Sequence, residues 1–254
     1  MRHVPLEGNF NLRDLGGYAT ADGRRVRAGC LFRSDELHTL TDADLDVIAG
    51  LGVRVLFDLR NDQERGLRPN RPLPGVEVHE RSAPPHESAG TTLEDQIASG
   101  ITPQADDAEF GDVYIALLTY LRGELRHILE LAAEAHERPL LFHCVAGKDR
   151  TGITAAMLLG LLGVPDATIL DDYEATSDYW TPKRMEQLAD FIAEHEADEA
   201  NVRLLLSARR PVLQRCLDHV HATWGTFDNF VVDELGVAPD LPERLRASLL
   251  AVPN

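Results

Sequence analysis

The most specific chemistry in the chain sits in one run, His143-Cys144-Val145-Ala146-Gly147-Lys148-Asp149-Arg150-Thr151-Gly152. An apolar, strand-like stretch, Leu140-Leu141-Phe142, precedes it, and a helical pattern begins at Ile153. A strand, a tight loop turning at Gly147 and a helix N-terminus aim successive backbone N–H groups at one point, where the helix dipole also favours an anion. Phosphate suits that point. Cys144 opens the loop and Arg150 follows six positions later, so a curled loop sets the sulfur beneath the anion while the guanidinium forks two of its oxygens. The same donors favour the thiolate, which is the attacking form of cysteine. Thr151 is placed to hydrogen-bond the sulfur as it leaves a phosphocysteine, and His143 to fix the loop from behind. No metal and no cofactor enter this chemistry.

The remaining residues have to build the frame around that loop. A length of 254 residues suits one large domain, expected over 1–254, and 44% hydrophobic with 26% charged residues is ordinary for a soluble protein with a sizeable core. The formal net charge of −17 repels nucleic acid and anionic lipid surfaces. Neither a nucleic-acid partner nor stable membrane association is expected, and an anionic substrate needs a local basic pocket. Cys30, Cys144 and Cys216 are odd in number and far apart, which argues against a disulfide framework and for a reducing compartment. Cys30 and Cys216 read as small core residues. The first residues lack the apolar stretch of a signal peptide, and the longest apolar run, Ala155 to Val164, is too short to span a bilayer. A cytoplasmic location is the expectation, with signal-less secretion left open.

Patterning outlines the elements. Asp22-Gly23 marks a hairpin turn between residues 17–20 and 25–27, with a short strand at Cys30-Leu31-Phe32. Thr41 with Asp44 predicts a capped helix burying Leu45, Ile48 and Leu51 and closed by Gly52. Val53 to Leu59 reads as a buried strand, and Gly75 to His79 as a shorter one with Val76 and Val78 on one face. Residues 82–106 lack periodicity and read as a long loop. A helix is expected over 112–135, and Pro139 precedes the strand before the loop. Helical patterns follow over 153–162, 165–175, 182–195, 213–222 and 226–235. The fold class is α/β: a small central sheet with surrounding helices and a helical C-terminal half.

The loop resembles the signature of cysteine-dependent protein tyrosine phosphatases, a cysteine, five residues and an arginine. Its fuller form, HCxAGKDRTG, is similar to that of a bacterial group within them. Asn11-Leu12-Arg13-Asp14-Leu15-Gly16-Gly17-Tyr18, Arg33-Ser34 and Asp58-Leu59-Arg60 agree with the same group. The resemblance implies a tyrosine phosphatase-like fold and hydrolysis of phosphate monoesters by two displacements. Cys144 would be the nucleophile and Arg150 the stabiliser of the equatorial oxygens. Val145, Ala146, Gly147, Lys148 and Gly152 would surround the phosphate, with Asp58 and Arg60 at the same crevice.

An acid must protonate the leaving oxygen. The bacterial group carries it inside the phosphate loop, which points to Asp149. Asp58 competes because it ends a central strand, although beside Arg60 it could only orient Arg150, and Asp112 or another acid from the long loop is a third candidate. Lys148 adds charge for a second phosphate. Loops of this kind also occur in phosphoinositide phosphatases, so phosphotyrosine proteins and phosphoinositides are both expected substrates, with dual specificity toward phosphoserine and phosphothreonine. Arg33, Arg60, Arg65, Arg68 and Arg71 read either as a basic wall or, alternating with Asp62 and Glu64, as a salt-bridged face. The Asp171-Asp172-Tyr173 cluster reads as helical, with Tyr173 packing inward, rather than as a metal site. Trp180, Trp224, Phe227 and Phe230 read as core, with one of them a candidate for the cleft. In the family a helical segment can cover the site, here within 178–215. Two other readings of the same loop are a catalytically silent phosphate-binding module and a sulfur-transfer protein.

Overall fold

The computed structural model describes residues 2–80, 93–100 and 103–251. Its strands are β1 (Arg2–His3), β2 (Arg13–Asp14), β3 (Arg25–Val26), β4 (Leu31–Ser34), β5 (Val55–Asp58), β6 (Glu77–Glu80), β7 (Leu140–His143) and β8 (Leu250–Ala251). Six of them form one sheet in the order β1-β2-β4-β7-β5-β6, and β3 pairs with β8 separately. β4, β7, β5 and β6 run parallel, while β1 and β2 are antiparallel. The three central strands are buried at every position, as parallel strands covered on both faces must be. Their polar residues gather at one end, where Ser34, His143 and Asp58 lie in register. That C-terminal edge is where an open α/β sheet places its site.

The helices are α1 (Asp42–Gly50), α2 (Asp62–Leu67), α3 (Leu93–Ala98), α4 (Asp107–Tyr120), α5 (Arg122–Ala132), α6 (Asp149–Leu161), α7 (Asp166–Tyr179), α8 (Thr181–Glu194), α9 (Glu199–Leu206), α10 (Arg210–Trp224), α11 (Phe227–Asn229) and α12 (Leu241–Leu249). A π turn over Phe230–Glu234 continues α11. Helix α6 is buried from Thr151 to Leu159, and the main core of Leu125, Ile128, Phe142, Leu158, Leu213 and Leu217 forms around it. A second cluster under α1 joins Ile48 and Leu37 to Phe32, Leu56 and Leu141 on the sheet. A third is built only from α3, α8 and α9 and the turns beside them, with Ile97, Met185, Leu188, Ile192, Val202 and Leu206. No helix among the described residues is long and apolar enough to cross a membrane.

The α/β architecture agrees with the sequence reading, and so does the Thr41/Asp44 capping box on α1. Four elements differ. The helix expected over 112–135 is two, because the backbone at Leu121 turns out of helical geometry (ψ 12°) and Gly123, a weak helix former, follows. The hairpin at Asp22-Gly23 contributes one bridge, Ala19 to Arg25, and β3 pairs mainly with the distant β8. Val76 packs on the core but Val78 is 48% exposed, because β6 is the sheet's edge. Of the expected 82–106 loop, residues 93–98 form α3 and residues 82–92 and 101–102 lie outside the described residues.

Candidate active site

The loop between β7 and α6 owes its shape to where its carbonyls go. Cys144 O accepts from His143 Nδ1 (3.0 Å), Val145 O from the Glu36 N–H (2.9 Å), Ala146 O from Asn11 Nδ2 (2.9 Å) and Gly147 O from Arg33 Nη2 (2.7 Å). In a planar trans peptide the N–H points opposite to the C=O. Four carbonyls held outward therefore turn the N–H groups of Val145, Ala146, Gly147 and Lys148 inward. Asp149 and Arg150 add N–H groups from the first turn of α6, which has no intrahelical acceptor. Among the described residues none of these six donors has an acceptor. They form a nest for an anion directly after the Cys144 position. Gly147 is required there: its φ is +65°, and a Cβ would come within 2.5 Å of Ser34 O.

The outward donors are themselves braced. Arg33 is bound to Asp172 Oδ2 at 2.5 Å, and Arg13 reaches the Asp172 backbone oxygen at 3.1 Å and the Asn11 side chain. Tyr18 Oη donates to the same Asp172 carboxylate at 2.9 Å. Burial pushes the Asp172 carboxyl up, but Arg33 and Arg13 outweigh it and hold it below the usual carboxylate range. Removing one partner of such a buried pair costs about 3–5 kcal/mol, so the loop's frame is stiff. Behind the loop, burial and Arg60 keep His143 below its ordinary value against the pull of Asp58. The neutral ring donates through Nδ1 to the loop and accepts from Asn70 Nδ2 at 3.2 Å through Nε2.

Asp58 and Arg60 belong to this brace and do not line the cavity, contrary to their expected place at the phosphate. Arg60 binds Asp58 through Nε and Nη2 at 2.8–3.2 Å, Arg68 O at 2.7 Å and Asn70 Oδ1 at 2.9 Å. Burial pushes the Asp58 carboxyl up, while His143 and Arg60 pull it further down, to about 2. Asp112 is also removed from the acids under consideration, since it pairs with Arg215 on α10 at 2.6 Å away from the cavity. Arg33 is an internal brace, and Arg65 and Arg71 form ion pairs with Asp62 and Asp42. Of the basic residues considered, Arg68 faces the cavity.

A cavity of about 550 Å³ opens beside the loop. Val145, Asp149 and Arg150 line it, and so do Trp180, Arg184 and Leu206. Cys144 is 2% exposed at the loop's start. Arg150 is gripped fork to fork by Glu64, with Nη1 to Oε2 at 2.6 Å and Nη2 to Oε1 at 2.7 Å, and it also donates to Leu59 O at 3.1 Å. Burial would lower the Arg150 guanidinium, but Glu64, Cys144 and Asp149 outweigh it and keep it charged. Glu64 was not singled out from the sequence, although a signal existed. It closes a capping box with Asn61 at the start of α2, immediately after the β5 edge. Burial pushes the nearby Asp35 carboxyl up to about 7 against the Asn11 and Phe10 N–H groups, so this part of the wall loses negative charge near neutrality.

Asp149 is half-buried, faces the cavity and accepts from Tyr114 Oη at 2.6 Å. Lys148 turns away from the cavity and donates from Nζ to Leu205 O at 2.7 Å, at the C-terminal end of α9. The buried Thr151 hydroxyl has no hydrogen-bond partner among the described residues, so the expected bond to the sulfur is not made in this structure. Gly152 donates to Lys148 O and lets α6 press on the Tyr173 ring, to which a Cβ would come within 2.9 Å. Tyr173 packs inward as expected, and Asp171 pairs with Arg210 at the surface. Of the four aromatics considered, Trp180 reaches the cavity, while Phe227 and Phe230 belong to the core and Trp224 packs against it.

The sequence model of the tyrosine phosphatase family matches residues 4–251. The chain belongs to that family. Among its relatives, a tyrosine-protein phosphatase of Cupriavidus necator is 34% identical over 230 residues, covering 89% of this chain and 82% of the relative. The triple specificity protein phosphatase PtpB of Mycobacterium tuberculosis is 28% identical over 285 residues, covering 96% and 98%. The solved structure of TpbA from P. aeruginosa aligns with 79% of this chain and 95% of its own, at 16% identity and a TM-score of 0.30. Family membership makes the chain a phosphatase.

Proposed function

We propose that this phosphatase cleaves phosphate monoesters through a phosphocysteine intermediate, with phosphotyrosine in proteins as the first substrate. The supporting observation is the set of outward carbonyls that converges six N–H donors between Cys144 and the charged, clamped Arg150. In the first displacement the Cys144 sulfur attacks phosphorus in line, while the nest and Arg150 hold the equatorial oxygens as charge spreads over them. Asp149 protonates the departing oxygen. In the second, Asp149 takes a proton from water as its oxygen attacks phosphorus and the sulfur leaves. Substrates beyond phosphotyrosine enter by likeness to PtpB, whose name states a triple specificity. Phosphoserine, phosphothreonine and phosphoinositides therefore belong in the same trial. A second phosphate would meet Lys148 only if its ammonium left Leu205 O.

The test is phosphate release across phosphotyrosine, phosphoserine and phosphothreonine peptides and mono- and polyphosphorylated inositol lipids, with EDTA present. Turnover that survives EDTA is expected, fastest on phosphotyrosine. Tight binding of these esters with no release of phosphate would replace this reading with a silent binding module.

The covering segment expected within 178–215 is narrowed by its packing. Helices α3, α8 and α9 share a small core of their own, whereas α10 packs against α4. Trp180, Arg184, Leu206 and Glu94 from this unit line the cavity together with the loop residues. A unit with a separate core can open without disturbing the rest, so α3, α8 and α9 are proposed as a lid. Limited proteolysis within residues 180–206 should slow at least about threefold when vanadate fills the nest. Cleavage at the same rate with and without vanadate would remove the lid.

A further inference from the structure

Two tyrosines that looked like ordinary core aromatics, or were passed over, meet the proposed acid. Tyr114 on α4 and Tyr173 on α7 are 1% and 2% exposed, and their rings meet edge to face with centroids 6.0 Å apart. The two hydroxyls lie 2.7 Å from each other, and Tyr114 Oη is 2.6 Å from Asp149 Oδ1. A buried phenol must pair its O–H. Two phenols in contact carry two protons for one mutual bond, so one proton has to point onward. The Asp149 oxygen receives it: Tyr173 donates to Tyr114, and Tyr114 donates to Oδ1.

That order divides the two carboxyl oxygens. Oδ1 is occupied by Tyr114, with Lys148 Nζ 3.6 Å away. Oδ2 has no partner among the described residues, and Asp149 faces the cavity with 40% of its side chain exposed. We propose that Tyr114, backed by Tyr173, is a positioning residue that pins Asp149 by Oδ1 and so leaves Oδ2 as the oxygen that carries the proton to the leaving group. The inference rests on Asp149 being the acid.

The proton balance is simple. As the S–P bond forms and the P–O bond to the leaving group breaks, the proton on Oδ2 passes to the departing oxygen. Tyr114, Lys148 and Arg150 then face the new carboxylate. When water attacks and the P–S bond breaks, Oδ2 recovers a proton from that water. The phenols stay un-ionised throughout, because burial and the Asp149 charge push both well above the ordinary tyrosine range. They act as fixed donors.

Two substrates that differ only in the leaving group read this role. Phenyl phosphate releases a basic phenolate that needs a proton, whereas 4-nitrophenyl phosphate releases a far more acidic phenol that does not. Asp149→Asn is expected to lose about 100-fold in kcat on phenyl phosphate and less than about fivefold on the nitrophenyl ester. Tyr114→Phe should show the same imbalance in milder form, about tenfold against about twofold, and Tyr173→Phe about threefold against none. A structural effect of the lost hydroxyl would lower both rates alike.

Equal losses on both esters in Asp149→Asn would overturn the acid assignment and this inference with it. Unequal losses in Asp149→Asn with equal losses in Tyr114→Phe would overturn the inference alone. If Tyr114→Phe fails to fold, Tyr173→Phe decides, since it leaves the Tyr114 to Asp149 bond in place and removes only its support. Equal losses there would count against the proposal.

Discussion

Cys144→Ser is expected to abolish phosphate release, by about 10⁵-fold or more in kcat, while phosphotyrosine peptides still bind. The change replaces one atom in a residue that is 2% exposed, so the loop's outer hydrogen bonds to Asn11, Arg33 and Glu36 are untouched. The six inward N–H groups keep their aim and still receive the phosphate. What is lost is the nucleophile, because an alcohol is a far weaker acid and a poorer nucleophile than a thiol. Single-turnover phosphate release and calorimetric titration with a phosphotyrosine peptide measure the two halves separately. Turnover above about 1% of the unmodified rate would exclude Cys144 as the attacking group.

The second large effect belongs to Arg150, and it should split between kcat and KM in a way set by Glu64. Arg150→Ala removes the fork that stabilises the equatorial oxygens, and a loss of about 10³-fold in kcat is expected. It also bares Glu64. Burial pushes that carboxyl up, but Arg150 is the main group holding it down. Without its partner the Glu64 carboxylate lines the cavity as an unpaired negative charge facing a dianionic substrate, so KM should rise as well, by about tenfold. Adding Glu64→Gln to Arg150→Ala should restore KM to within about threefold and leave kcat depressed. A double variant with KM no better than the single one would show that Glu64 serves Arg150 only as a clamp, without bearing on the substrate.

The loop's place and shape were legible because its residues are contiguous: a cysteine, a turn glycine and an arginine between an apolar strand and a helix. Most of its frame was not, because the groups that hold three of the four carbonyls come from residues 11, 33 and 36, far away in sequence. Arg33 and Asp172 show the difficulty. Each reads as a surface charge by type, and both are buried only because each supplies the other's partner. Asp58 and Arg60 were placed at the right edge of the right strand, and the reading missed that Asn70, from beyond α2, closes them into a network with His143. Glu64 had a local signal in its capping box, but its grip on Arg150 is tertiary. The break at Leu121 escaped because the apolar stripe continues across it. Periodicity reports which face is buried and says little about a turn that keeps both faces buried.

The bracing of the loop also bears on the order in which the chain becomes reactive. Ala146 is held by a residue 135 positions earlier and Gly147 by one 114 positions earlier, and contacts this distant in sequence form late because they close long loops. Asn11 and Arg33 leave the ribosome well before the cysteine does. Arg33, however, is fixed by Asp172, 139 positions further along. The nest therefore cannot be assembled while Cys144 is emerging. It forms only after α7 has been synthesised and packed, so a nascent or partly unfolded chain carries Cys144 without the ring of inward N–H donors around it.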